Sequence, residues 1–385
     1  MVTAAGRQYA LLLPLCLAAL AGLPAQDGWS ADASSFAGEW PRTDFSRRVV
    51  DLNEIESGGP SKDGIPAIDK PKFMSARYAG TWLDAREPVI ALEIAGDARA
   101  YPLQILIYHE IANDVVGGVP VAVTFCPLCN ASIVFDRRAG SRMLDFGTTG
   151  NLRKSDLVMY DRQTESWWQQ FTGKGIVGAY SGTELKQIPS SIIAFSEFTA
   201  AYPEGKILSR ATGYTRPYGR NPYRGYDRVG NTPFLFHDPV DPRLPAMERV
   251  IGVRVGGKQR LYPFSVFKTS PVINDEVGGR AVVLFSKEDV LSALDAEIIR
   301  ESRTVPSATA FERGLDGNVL TFESRVGRIY DTQTGSQWNL LGQAIDGKLK
   351  GRRLPAAESG VHFAFAWLAF NPASEIYGKT GVARR

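Results

Sequence analysis
The sequence predicts a β-dominated α+β fold built from two tandem copies of one β-rich domain, the second copy lacking a cysteine and histidine set that the first carries. Three observations predict it. Residues 101–118 (YPLQILIYHEIANDVVGG) align without a gap on residues 262–279 (YPFSVFKTSPVINDEVGG), with seven of 18 positions identical, and residues 160–170 (YDRQTESWWQQ) align on 330–340 (YDTQTGSQWNL), with six of 11 identical. A repeat of that length reads as one domain duplicated. The segments between these blocks are short, apolar and β-branched, such as residues 119–125 (VPVAVTF), which is strand patterning. The 38 Gly and 23 Pro call for many turns rather than long helices. No alternating βαβ pattern and no glycine-rich phosphate loop is present.

The chain has 385 residues, enough for two domains. Its net charge is only +3 and it has no basic run, which argues against nucleic acid as a partner. Residues 1–25 read as a signal peptide, with Arg7 in a charged start, an apolar stretch at 10–23 and a cleavage point after Ala25. The apolar stretch is too short to span a bilayer. The expected protein is therefore exported, periplasmic or secreted, with no membrane span after signal removal. Residues 26–75 follow as an N-terminal extension of weak periodicity.

The first repeat domain is placed at 76–215. Within it, residues 102–111 read as a short helix ending near Asn113, Val-Gly-Gly at 116–118 as a tight turn, and 119–125 and 131–137 as strands. Residues 136–142 read as a turn, 142–146 and 157–161 as further strands, and 191–201 as a short amphipathic helix. Residues 216–245 form a Pro-, Tyr- and Arg-rich connector, expected to be a stiff linker. The second repeat domain takes 246–385, with another short helix at 359–369. Residues present in both copies, such as Asn113-Asp114 and Asn274-Asp275, or Trp168 and Trp338, are expected to serve folding. The Asn-Asp pairs are expected to bond a turn.

The differences between the copies point to chemistry. His109 aligns with Ser270, Glu110 with Pro271, Cys126 with Lys287 and Cys129 with Val290. Cys16 leaves with the signal, so Cys126 and Cys129 of Cys-Pro-Leu-Cys are the whole thiol content of the mature chain. The segment lies between two predicted strands, whereas a thioredoxin-like Cys-x-x-Cys opens a helix. Two thiolates on a tight turn between strands can share one metal. His109 is the nearest histidine in sequence, and His237 and His362 have no cysteine nearby. Met143 and Met159 fall on predicted strands of the same copy, and a thioether suits copper. The expected metal site is Cys126, Cys129 and His109 with Met159 as a fourth ligand, for one transition-metal ion, copper favoured, zinc or iron as alternatives.

The motifs at 101–137, at 155–178 (SDLVMYDRQTESWWQQFTGKGIVG) and at 221–227 (NPYRGYD) resemble the domain-of-unknown-function family 3179 of exported bacterial and archaeal proteins, from about residue 91 to the C-terminus. The resemblance implies that His109, Cys126, Cys129 and Met159 belong to the family pattern. It implies no activity and names no metal. Asn130 stands where a glycine often follows the second cysteine, and Asn tolerates φ > 0.

Three functions stay open on the sequence. The first is metal binding for copper handling, electron transfer or a metal-dependent redox step, with a redox protein as partner. The second is thiol–disulfide exchange by Cys126 and Cys129 with His109 as proton acceptor. The third is a metal-free interaction module with a local disulfide. If the protein is an enzyme, an oxidoreductase is expected. A serine hydrolase is disfavoured, since no Gly-x-Ser-x-Gly elbow occurs. A carboxylate pair drawn from Glu110, Asp114, Asp156, Asp161 and Glu165 would suit sugar cleavage, but Asp114 and Asp161 recur in both copies.

Overall fold
The computed structural model describes residues 35–379, so the expected signal peptide lies outside the described residues. The chain is β-dominated, with short helices between strands, as the composition predicts. Strands Pro88–Ile94 and Asp97–Pro102 pair antiparallel, and Ser191–Ala194 and Lys206–Leu208 flank them, the latter in parallel. The later half repeats that order. Arg249–Val255 and Lys258–Pro263 pair antiparallel, flanked by Glu358–Phe363 and by Glu375–Ile376 in parallel. A meander follows in each half. The first is Ile111–Val116, Val119–Cys126 and Ala131–Asp136, and the second is Val272–Val277, Arg280–Leu291 and Thr304–Glu312. A sheet with indole-bearing strands completes each, beginning at Phe146–Arg153 and at Phe322–Arg325.

The residues common to both halves make the same bonds. The Tyr101 hydroxyl donates to Asp114 Oδ2 at 2.6 Å, and the Tyr262 hydroxyl donates to Asp275 Oδ2 at 2.7 Å. Arg99 and Arg260 hold the same two carboxylates. Trp168 Nε1 donates to Asp161 Oδ2 and Trp338 Nε1 to Asp331 Oδ2, each at 3.0 Å. Each aspartate also accepts the backbone N–H three residues on, from Thr164 and Thr334. One buried carboxylate thus fixes both a turn and an indole, which is why Tyr-Asp-x-Gln-Thr-x-Ser precedes the tryptophan in both places. Gly117 and Gly278 have φ of +53° and +56°, and a Cβ there would sit 2.1 Å from Ile94 O and 2.4 Å from Val255 O. Only glycine fits both the conformation and the contact.

Several elements differ from the expectation. The helix after Tyr101 is one turn, Leu103–Leu106, and Asn113 and Asp114 lie inside the strand Ile111–Val116 rather than at a turn. Asn113 bonds across to the next sheet, with Nδ2 donating to Phe146 O and Oδ1 accepting from Phe146 N. Asn274 does the same with Phe322. The β-branched residues won here over the helical spacing. The segments read as helices at 191–201 and 359–369 each begin as strands, Ser191–Ala194 and Glu358–Phe363, and only then turn into Phe195–Ala201 and Ala364–Phe370.

The two halves are not independent bodies. Strand Ser191–Ala194 packs on Thr304–Glu312 of the later half, and Glu358–Phe363 packs on Ala131–Asp136 of the earlier half. The largest apolar cluster runs from Ala67 to Ile376 and joins Phe125, Phe135 and Phe171 to Val250, Phe363 and Trp367. The N-terminal extension docks on the earlier half. Trp40, Phe45, Leu52 and Ile55 pack against Val158, Tyr160 and Trp167, and Ile55–Ser57 adds a strand beside Phe146–Arg153.

Candidate functional site
Strand Val119–Cys126 ends on the first cysteine, and Ala131–Asp136 starts just after the second. Between them residues 127–130 make a tight turn, closed by Asn130 N donating to Pro127 O at 3.2 Å. Asn130 takes φ of +49°, the conformation that Asn tolerates best after glycine. Both cysteines are free and buried, at 1% and 0% exposure. Cys126 Sγ lies 3.9 Å and Cys129 Sγ 3.4 Å from the Ser155 carbonyl oxygen, each donating to it.

Ser155 sits at the tip of a hairpin formed by Phe146–Arg153 and Asp156–Asp161. Lys154 and Ser155 both have positive φ, +55° and +64°, the signature of a type I′ turn. The hairpin brings Asp156 beside the sulfurs. Cys126, Cys129 and Asp156 each offer one ligand atom, and these atoms lie within 4.8 Å of one another, all buried. Asp156 Oδ2 accepts from Gln169 Nε2 at 2.6 Å and from Phe171 N at 2.9 Å. Its Oδ1 is buried and no N–H or O–H donates to it.

Burial dominates the electrostatics. It pushes the Asp156 carboxyl up to about 7, although the bonds from Gln169 and Phe171 pull the other way. Glu110 stands at a φ of +57° just before strand Ile111–Val116 and is pushed up to about 8, by burial first and the neighbouring Asp156 charge second. Burial also raises the Cys126 thiol, and it raises Cys129 well above the ordinary thiol range. The uncharged forms are favoured, so these thiols are poor nucleophiles.

The connector lies over this corner rather than hanging free. The Tyr226 hydroxyl donates to Leu128 O at 3.0 Å, and the Tyr226 ring meets Phe363 edge-on. Tyr223 packs beside Tyr226, and its hydroxyl is raised by burial and by the Glu110 charge. Asp227 anchors the segment, with no exposure, between Arg249, Arg303 and the Ser292 hydroxyl. From the later half, Phe363 N donates to Cys129 O at 2.9 Å.

The structure does not bring His109 to the sulfurs. Its Nδ1 is hydrogen-bonded to Pro66 O at 2.7 Å and its Nε2 to the Tyr218 hydroxyl at 2.6 Å. The reason is local: His109 and Glu110 are adjacent, so their side chains diverge, and Glu110 is the one facing Asp156 and Cys126. Met159 is fully buried and pairs with Trp168 across the sheet. It stands three residues beyond Asp156 on one strand, an odd offset that turns it to the opposite face. Met143 is 51% exposed, on the small hairpin of Arg138–Ala139 with Arg142–Met143. His237 is exposed and bonded to Glu56, and His362 is buried beside Phe171 and Trp367. Sequence reasoning counted Asp156 only among carboxylates for sugar cleavage and did not join it to the cysteines. It did not single out Ser155 or Tyr226. One signal existed: Phe146 to Tyr160 spans 160 − 146 = 14 positions, against 330 − 322 = 8 for Phe322 to Tyr330, and the extra residues of the first half include Asp156.

The model of the family described as protein of unknown function (DUF3179) matches residues 62–374, and the chain belongs to that family. No curated protein and no solved structure matches it.

Proposed function
We propose that this chain is an exported metal-binding protein that holds one transition-metal ion, copper first and zinc or iron as alternatives, on Cys126, Cys129 and Asp156. One observation carries the reading: two free thiols and a carboxylate with an unpartnered oxygen meet in a dry corner, within 4.8 Å of one another. Ligands that each lie about 2.0–2.3 Å from a shared ion are at most about 4.6 Å apart, so atoms within 4.8 Å need little or no shift to share one. A buried polar atom with no partner is costly, and a cation supplies the missing one. Two soft thiolates favour copper, while the carboxylate leaves zinc open. His109 acts in this reading as the post that ties Tyr218 and Pro66 together, and Met159 as core. Sulfurs this deeply buried suit ion handling or electron transfer to a redox partner better than turnover of a bound substrate.

The bonds shared by Tyr101 and Tyr262, Asn113 and Asn274, and Trp168 and Trp338 support reading the chain as an internal duplication. The second copy then serves as a cover for the site rather than a second site of the same kind.

The closeness of Asp156 to both thiols also supports the second reading, thiol–disulfide exchange, since a carboxylate near 7 can accept a thiol proton. The raised thiols weigh against it. Metal analysis of the mature protein from its native compartment, beside a Cys126→Ser/Cys129→Ser variant, separates the two. About one ion per wild-type chain and none in the variant is the expected result. No metal in either, with a disulfide that opens and closes reversibly, transfers the assignment to thiol exchange.

A further inference from the structure
In the later half, the place that corresponds to the cysteine corner is an open cavity of about 460 Å³. The correspondence follows from strand register. Cys126 pairs with Ala131 five positions along from the pair Val121–Asp136, and Lys287 pairs with Ser307 five positions along from Val282–Glu312. Lys287 therefore stands where Cys126 does, and Pro271 where Glu110 does. Gln169 follows Trp168 as Asn339 follows Trp338. Pro271, Lys287, Trp338 and Asn339 all line the cavity, and so do Gly327 and Arg328 at the tip of the later hairpin.

The lining has two parts. Phe267, Ile329, Trp338 and Leu340 form a buried apolar floor, each no more than 8% exposed. Lys268, Lys287, Arg328, Glu197 and Glu288 form a charged rim. Lys287 is ion-paired with Glu197 and with Asp289. Lys268 and Arg328 make no ion pair with any described residue, so the rim holds two unpaired cations and the single carboxylate of Glu288 beside the Lys287–Glu197 pair. The volume falls in the range of small-molecule sites, roughly 300–1,000 Å³.

We propose that this cavity binds a small organic carboxylate with an apolar body. The body rests on Phe267, Trp338 and Ile329, where its burial is favourable. The carboxylate meets the Arg328 guanidinium, whose planar fork matches it, with Lys268 as a second charge. The register and the lining alone define this cavity, whether or not the cysteine corner holds a metal.

Calorimetric titration of the full mature chain with 3-phenylpropionate, and separately with its uncharged amide, tests the proposal. Saturable binding of the acid is expected, with the amide at least tenfold weaker. Lys268→Ala/Arg328→Ala should weaken the acid at least tenfold, while Lys348→Ala, outside the cavity, should leave it unchanged. Both rim residues are exposed, so the double variant keeps the fold, and its melting curve checks this. No saturable binding of the acid overturns the proposal. So does an amide that binds as tightly as the acid, or a double variant with unchanged affinity.

Discussion

Between Cys126 and Ala131 the chain turns in residues 127–130, whereas between Lys287 and Ser307, their counterparts in register, it runs out through residues 288–306. The hairpins opposite differ in the reverse sense. That of the earlier half continues past a bulge to Arg153 and Asp156, and its tip lies buried on the sulfurs. That of the later half stops at Arg325 and Arg328, and Val326 at its tip is fully exposed. Where a long hairpin meets a short turn, the corner closes and becomes dry. Where a short hairpin meets a long excursion, it stays open and charged. The same scaffold bonds surround both corners, so the chemistry was set by the lengths of two loops. Loop length is also what a fold tolerates changing at least thermodynamic cost.

The sharpest way to break this comparison is through the scaffold itself. Trp168→Ala and Trp338→Ala should each cost about 3–5 kcal/mol, because both remove a fully buried indole and take one hydrogen-bond donor from a buried aspartate. Since one core joins the halves, calorimetry should give one cooperative transition for both variants. Two separate transitions would show that the halves fold as independent domains.

Asp156→Asn sharpens the difference between the corners. It keeps the shape and removes the charge that the proposed ion needs. Metal affinity should fall at least tenfold, about 1.4 kcal/mol, when measured by competition with a chelator. Metal-free stability should hold or rise, because a costly buried acid is gone. Arg328→Asn in the later half should leave metal affinity unchanged.

A smaller effect follows from pH. In the metal-free protein Asp156 and Glu110 keep their protons up to about 7 and about 8, while the unfolded chain loses them near 3.8 and 4.5. The folded state then binds more protons than the unfolded state across that window, so stability falls as pH rises. The melting temperature should decline between about pH 4 and pH 8. Glu110→Gln should flatten the upper part of that decline. Pro271, its counterpart, contributes no such slope.

The smallest effect concerns the later hairpin. Val326 holds φ of +48°, a conformation that costs a β-branched residue about 1–2 kcal/mol. Val326→Gly should raise stability by about 1 kcal/mol or less, after the entropy of glycine is subtracted. A loss on chemical denaturation would mean that the exposed valine packs against something in solution.

Much of this was legible in the sequence, and the illegible parts have physical causes. The strands at 119–125 and 131–137, the turn between them and its tolerance of Asn130 followed from β-branched runs and local backbone preference, which neighbouring residues set. The helix expected at 102–111 failed because a four-residue turn and a strand share an apolar stretch that fits either period. The cysteine pair stood out by spacing. Its carboxylate did not, since Asp156 arrives from another sheet on a hairpin whose extra length looks like any insertion. His109 looked like a partner by nearness in sequence, and the reversal at Glu110 sent its ring to Tyr218 instead. The connector read as a linker because its tyrosines have no periodicity, and only the fold lays Tyr223 and Tyr226 over the corner.

By itself the sequence determined the strand content, the repeated Tyr, Asp and Trp framework and the two thiols on one turn, because these rest on local backbone preference and on residues that recur at fixed spacing. The tertiary structure alone decided which carboxylate meets the thiols, that each half packs a strand on the other, and that one corner is closed and the other open. Those outcomes depend on how far two hairpins reach toward each other across the core, a distance that no local pattern encodes.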